Sequence, residues 1–165
     1  MRAAAKPITK RVENFGVSWE SAYGYGQAVQ VGNVVYVSGQ FSHDEKGRLI
    51  GPAPLDAAGK VLDGANMELQ MRTTYANAAR LLERFGATLD NVVEETLYAV
   101  DFAAAFAVAG KVRKAAYGTE RPSCASTIVG TTRLALPEQL IEISFTAVLS
   151  PEDSKRSADD GAPRP

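Results

Sequence analysis

"AVQVGNVVYVSGQF", residues 28–41, carries the strongest structural signal in the chain. Valines alternate with polar neighbours in its first half, Gly32 and Asn33 are typical of a tight turn, and a run rich in β-branched residues follows. We therefore predict a β-hairpin. Gly39, directly after Ser38, marks a place where a ligand or another backbone comes close to the second strand.

Outward from this hairpin, the hydrophobic pattern alternates between helical and strand periods. The predicted elements are a helix at 67–86, a strand at 92–100, a helix at 104–118 with Phe106 facing inward, and strands at 126–135 and 140–150. This order predicts an α+β single domain in which two helices cover one face of a mixed sheet. Oligomerisation would cover the opposite face.

Three segments divide the chain by composition. We predict an N-terminal extension at 1–19, one folded domain at 20–150, and a mobile polar tail at 151–165, where large apolar residues are missing. The stretch 42–66 is rich in Gly and Pro and is predicted to be a long loop, which in a compact domain is often functional.

Composition narrows the function classes. A net charge of −1 over 165 residues offers no broad basic field for nucleic acid or an anionic membrane. One cysteine and one histidine exclude a Cys/His-rich zinc site within a single chain, and we expect no metal and no cofactor. A lone cysteine and the lack of a long apolar run lead us to expect a cytoplasmic protein without a membrane segment.

Several stretches together resemble the Rid family (reactive intermediate deaminase, or YjgF). They are "YGQAVQVGNVVYVSGQ" (25–40), the helix with Gln70, Thr74, Asn77 and Leu81, "GATLDNVVEETLYAVD" (86–101) and "LPEQLIEISFTAV" (136–148). The resemblance implies a chorismate-mutase-like fold, a homotrimer with ligand sites in the clefts between subunits, and hydrolysis of enamines and imines to ketones and ammonia.

The stretch "RPSCASTIVG" (121–130) departs from this resemblance. Deaminating members carry an arginine just before the penultimate strand, where its rigid fork suits a substrate carboxylate. Aligned on Val129 and Gly130, that position falls on Ser126. Arg121 is the nearest cation and a possible substitute, although a surface arginine paired with Glu120 is the alternative reading.

The remaining candidates follow the resemblance. Glu142 matches an acidic residue that positions water, since imine hydrolysis needs a group that accepts and returns a proton. The alternative is a carboxylate on a wet sheet face. Tyr25 matches an aromatic of the cleft wall, while the main chain and small hydroxyls at Ser38, Gly39, Ser126 and Thr127 are predicted to hold the polar end of a substrate.

Cys124 and His43 are the single cysteine and the single histidine of the chain, and both side-chain types can take part in catalysis. Cys124 has no neighbouring histidine and is expected to be a small core residue rather than a nucleophile. His43, in the predicted loop, could reach the cleft as an acid or base, but a loop histidine is more often exposed.

The sequence thus predicts a Rid-like hydrolase of a small enamine or imine, with a non-catalytic metabolite-binding protein using the same trimeric cleft as the alternative. RNA cleavage is disfavoured because no basic stripe with interleaved aromatic residues is present.

Overall fold

The computed structural model describes residues 7–150, which form one mixed sheet and three helices. In chain order the elements are β1 (Arg11–Glu13), α1 (Ser18–Tyr23), β2 (Ala28–Val31), β3 (Val34–Gln40), α2 (Met67–Glu83), β4 (Val92–Ala99), α3 (Phe102–Tyr117), β5 (Ala125–Gly130) and β6 (Ile141–Val148). The strand order is β1-β2-β3-β6-β4-β5. Only the β4–β5 pair of these strands is parallel, which confirms the predicted α+β domain.

The last strand, β6, lies in the middle of the sheet and separates its two faces. Its buried residues, Ile141 and Ile143 among them, alternate with half-buried ones such as Glu142 and Ser144. Because successive side chains of a strand point to opposite faces, Glu142 lies on the face away from the apolar core. The alternation predicted from the sequence is confirmed.

Helices α2 and α3 pack together over one face of the sheet. Large or apolar residues of the helix predicted at 67–86 are buried, and these are Met67, Met71, Ala78, Leu81, Leu82 and, just after α2, Phe85. In α3 the inward position predicted for Phe106 is wrong. Its ring is 67% exposed and stacks on Phe102 at the outer side of the helix, because Ala105 and Ala109 occupy the buried stripe.

The hairpin of β2 and β3 confirms the prediction made from its turn residues. Val31 pairs with Val34, and Gly32 has a φ of 60°, a conformation that glycine adopts readily. The register between β3 and β6 then shifts between Val37 and Gln40. This irregularity takes the intervening residues out of regular pairing, next to the start of β6.

The segment predicted to be an N-terminal extension contributes a strand to the sheet. β1 pairs antiparallel with β2, so the sheet begins before residue 20. Tyr23 is the last residue of α1 and is 80% exposed. The tail predicted at 151–165 lies outside the described residues.

Candidate functional site

Glu142 occupies the start of β6 on the sheet face that the long helices leave uncovered. It pairs across the sheet with Tyr98, which is 37% exposed, whereas the neighbours Leu97 and Ala99 point into the core. The side-chain amide of Gln139, itself fully buried, donates a hydrogen bond to Glu142 Oε2 at 3.1 Å. One carboxylate oxygen is thereby fixed in place.

Gly39 provides the space that the Glu142 carboxylate fills. A methyl group built on Gly39 would lie 2.6 Å from Cδ and 2.8 Å from Cγ of Glu142, closer than real side chains approach. The glycine after Ser38 therefore marks a close approach, as the sequence suggested, and the approaching group is this carboxylate.

Tyr25 directly follows the glycine that ends α1. Gly24 ends the helix with a φ of 68°, and the Tyr25 side chain is 38% exposed. Burial raises the pKa of its hydroxyl above the usual value, the charges of Glu20 and Glu142 add to this, and hydrogen bonding from Trp19 and Gln27 opposes it. Tyr25 and Glu142 are thus close enough to interact electrostatically.

Ser38 uses its polar groups within the protein. Its N–H donates to the Gln27 carbonyl at 2.9 Å, its hydroxyl donates to the Gly26 carbonyl at 2.8 Å, and its carbonyl accepts from Gln40 at 3.0 Å. Both donors of Ser38, its N–H and its hydroxyl, are therefore already bonded within the protein. Ser38 joins β3 to the segment that carries Tyr25.

Ser126 lies on the opposite side of the sheet from Glu142. It pairs with Glu95 and donates to Glu95 Oε1 at 2.9 Å, while Arg113 of α3 donates to the serine oxygen at 2.6 Å. The predicted contact between Ser126 and a substrate next to Glu142 is therefore not supported, because strand alternation turns the serine toward the helices. Thr127, one residue on, points to the face that carries Glu142.

Sequence reasoning missed the buried cluster that Ser126 joins. Glu95 is 0% exposed, forms an ion pair with Arg113, and accepts hydrogen bonds from Tyr75 at 3.0 Å and Tyr117 at 3.1 Å. Burial raises the pKa of both tyrosines, and the negative charge of Glu95 raises it further. The available signal was the glutamate two residues before Leu97 in β4, an inward position by alternation.

Neither Arg121 nor Arg133, the arginines near β5, forms an ion pair with Glu142 among the described residues. Within residues 7–150 no ion pair includes Glu142. Arg121 is exposed, and the partner of Glu120 is Lys114 at 2.8 Å, not Arg121 as the alternative reading had it. Arg133, placed by the sequence on or just past the penultimate strand, lies in the loop after β5.

His43 is neither exposed nor part of the group around Glu142. It is 2% exposed, and the rings of Phe15, Trp19 and Phe41 surround it at centroid distances of 5.0–5.3 Å. Its Nδ1 lies 2.8 Å from the Asp44 carbonyl, an obligate acceptor, so the proton resides on Nδ1. Burial lowers the pKa of this imidazole. The expectation of an exposed loop histidine is wrong.

Cys124 packs half-buried against the apolar core, next to Tyr117, as expected for a small core residue. Among the described residues, no three histidine, cysteine, aspartate or glutamate side chains gather as a metal site. None of the helices within 7–150 combines the length and apolarity that a membrane crossing requires.

A cavity lined by residues of two loops lies apart from the Glu142 carboxylate. It measures about 830 Å³ and opens at the end of the sheet, between the turn at 58–63 and the loop at 131–137. Glu142, Gly39 and Tyr25 do not line it. We place the candidate site at these three residues rather than in the cavity, since an acidic group, a close backbone and a hydroxyl converge there.

Comparison with known proteins agrees with this fold. The profile of the family described as "Endoribonuclease L-PSP" matches residues 16–149. The chain belongs to this family, which is also called YjgF or Rid. A RutC family protein of Pyrococcus abyssi is 30% identical over 123 residues, covering 74% of this chain and 84% of the relative.

Solved structures of family members superpose on most of the chain. Rv2704 of Mycobacterium tuberculosis, a member of the YjgF/YER057c/UK114 family, has 27% identity and a TM-score of 0.66 over 86% of this chain and all of its own. A putative endoribonuclease of Thermotoga maritima has 27% identity and a TM-score of 0.65, covering 88% and 99%. Family membership supports a role in small-molecule processing.

Proposed function

We propose that this protein hydrolyses a small imine or enamine to a carbonyl compound and ammonia, with Glu142 as the proton-transferring group. The observation that carries the proposal is the placement of the Glu142 carboxylate against Gly39, on a face that the helices do not cover. The charge of Glu142 also raises the pKa of the Tyr25 hydroxyl. The bond from Gln139 holds one of its oxygens and leaves the other available for water.

The chemistry follows from these groups. Water attacks the imine carbon and forms a C–O bond, its proton passes to Glu142, and the C=N electron pair moves to nitrogen. Glu142 returns this proton to nitrogen, which gives a carbinolamine. It then takes the hydroxyl proton and passes it to the same nitrogen, so that the C–N bond breaks with ammonia leaving as the carbonyl forms. An enamine first takes a proton on carbon and loses one from nitrogen to become the imine. A positioned acid–base group of this kind contributes about 10²–10⁴ in rate.

The proposed substrate needs no carboxylate group, because no arginine of β5 is available to bind one. The strand begins with Ala125, Ser126 and Thr127, of which only the alanine and the threonine point to the face of Glu142. A small imine with an uncharged polar end fits these side chains better than one that requires a guanidinium.

We further propose a homotrimer, in the cytoplasm, with the site completed between subunits. The uncovered sheet face presents Tyr36, 54% exposed, together with Tyr98 and Val129, which are 37% and 41% exposed. Exposed aromatic and apolar side chains on one sheet face mark an interaction surface. Light scattering on the purified chain tests this, with three times 17.6 kDa expected and a monomer contradicting it.

The test of the reaction compares two variants of the same face. Ammonia release is measured with freshly generated imino acids and uncharged imines, using wild type, Glu142→Gln and the matched control Glu94→Gln, an exposed residue of β4. We expect a loss of about 10²-fold or more in the first variant and none in the control. Equal rates for wild type and Glu142→Gln would remove Glu142 from the mechanism.

A binding protein without turnover is the second candidate, and the small side chains at the start of β5 favour it. Thermal stabilisation by 2-oxo acids without ammonia release from any imine would support it. RNA cleavage, named for the family and for the Thermotoga relative, is less favoured because the net charge of −1 gives little attraction for phosphates.

A further inference from the structure

Tyr25 lies at the end of a line of buried side-chain amides that begins at β3. Gln40 Nε2 donates to the Ser38 carbonyl at 3.0 Å and to Gln27 Oε1 at 2.9 Å. Gln27 Nε2 in turn lies 3.4 Å from the Tyr25 hydroxyl. Gln40 and Gln27 are 1% and 2% exposed, so water does not compete for these bonds.

The hydrogen bonds along this line of amides can run in only one direction, from donor to acceptor. A carboxamide donates through its NH₂ group and accepts through its oxygen, and a main-chain carbonyl only accepts. Gln40 must therefore turn its NH₂ group to Ser38, and the same NH₂ group then donates to the oxygen of Gln27. Gln27 is left with its own NH₂ group facing Tyr25. The Tyr25 oxygen accepts a hydrogen bond from Gln27, and its own O–H proton points elsewhere.

The indole of Trp19 strengthens this polarity. Its buried Nε1–H has no hydrogen-bond partner within residues 7–150, yet it lies near enough to Tyr25 to lower the pKa of the hydroxyl. The Gln27 N–H is thus directed at the phenolic oxygen, and the charges that act on this oxygen are the carboxylates of Glu20 and Glu142.

We propose that Gln27 and Gln40 are positioning residues that hold Tyr25 as a hydrogen-bond donor toward the Glu142 side of the site. The ligand bound there presents an acceptor to Tyr25, such as the nitrogen of a neutral imine or the oxygen of its carbonyl product. The chemical class of this ligand rests on the proposed function, whereas the orientation of the hydroxyl does not.

The test reads the hydroxyl itself and needs no substrate. Difluorotyrosine ionises at lower pH than tyrosine, so the change Tyr25→difluorotyrosine lets fluorine NMR follow ionisation at this position. It is combined with Gln27→Met, with Gln40→Met, and with Gln30→Met as a control. Gln30 is a buried glutamine whose amide bonds to the Gly32 carbonyl, away from this line.

We expect Gln27→Met and Gln40→Met each to raise the ionisation midpoint by roughly one pH unit, because the phenolate loses a donor, and Gln30→Met to leave it unchanged. If Gln40→Met does not fold, Gln40→Leu, which also lacks a donor group and carries no charge, replaces it. Unchanged midpoints in both Gln27 and Gln40 variants, or a shift with Gln27 alone, would overturn the proposal.

Failure of this inference and failure of the proposed function are distinguishable. The midpoints test the amide line whether or not ammonia is ever released. Conversely, ammonia release that depends on Glu142 would stand even if the midpoints did not move.

Discussion

Removing Arg113 should destabilise the fold through the buried charge of Glu95. The carboxylate is 0% exposed, and Arg113, whose side chain is 21% exposed, is its only cationic partner among the described ion pairs. Arg113→Met leaves Glu95 with hydroxyl donors alone. Breaking a buried pair by removing one partner costs about 3–5 kcal/mol, because the remaining charge is uncompensated.

A double-mutant cycle separates this charge effect from lost packing. Glu95→Gln removes the buried charge, so adding Arg113→Met to that variant should cost only about 1 kcal/mol, the value of an ordinary hydrogen bond. The coupling between the two changes is then at least about 2 kcal/mol. Lys114→Met, which breaks the exposed pair with Glu120, is the control and should cost less than about 1 kcal/mol.

Urea denaturation followed by the fluorescence of Trp19, the chain's single tryptophan, measures these free energies at one protein concentration. The loss in Arg113→Met corresponds to a fall in Tm on the order of 10 °C. An equal cost of Arg113→Met with Glu95 and with Gln at that position would refute the reasoning, since Arg113 would then contribute packing only.

Two further predictions concern His43 and Gly39. Burial and the charge of Arg80 lower the pKa of His43 below 6.5, so the unfolded chain binds the proton more readily than the folded chain. The free energy of unfolding should therefore fall as pH drops below about 6.5, by at most about 1.4 kcal/mol per pH unit. His43→Phe should flatten this slope in urea titrations between about pH 8 and 5.5, and an unchanged slope would exclude the histidine. Gly39→Ala should abolish Glu142-dependent activity or ligand stabilisation while the circular dichroism spectrum persists, because its methyl group takes the space of the carboxylate. The control is Gly110→Ala, a position in open space on α3, which should retain activity and stabilise the fold by about 0.5–1 kcal/mol. Full activity in Gly39→Ala would contradict the close approach between Gly39 and the Glu142 carboxylate.

The helical and strand periods of the hydrophobic pattern predicted most of the fold. Alternation in β6 placed Glu142 opposite the core, and the valines around Gly32 and Asn33 predicted the hairpin in its observed place. These predictions succeeded because strand periodicity and turn preference are local properties. Phe106 shows the limit: on an alanine-rich helix several faces are apolar enough to be buried, and packing against α2 decided between them.

The candidate site could be predicted only in part. The Glu142 carboxylate lies against Gly39, and its charge raises the pKa of the Tyr25 hydroxyl. The roles assigned to these residues stay predictions. Ser126 was aligned on a short motif, and a shift of one residue in a strand exchanges its faces. The aligned serine consequently lies with Glu95 instead.

Residue type and spacing along the chain were enough to predict the strands from β2 to β6, the two long helices, their order and the family resemblance. Which distant polar groups meet depended on the folded chain: Glu95 meets Arg113 and Tyr75, His43 lies within three aromatic rings, and Gln40 meets Gln27. Such pairings join residues from separate elements. They are chosen when the sheet and helices close, because each buried polar atom must then find a partner that water no longer supplies.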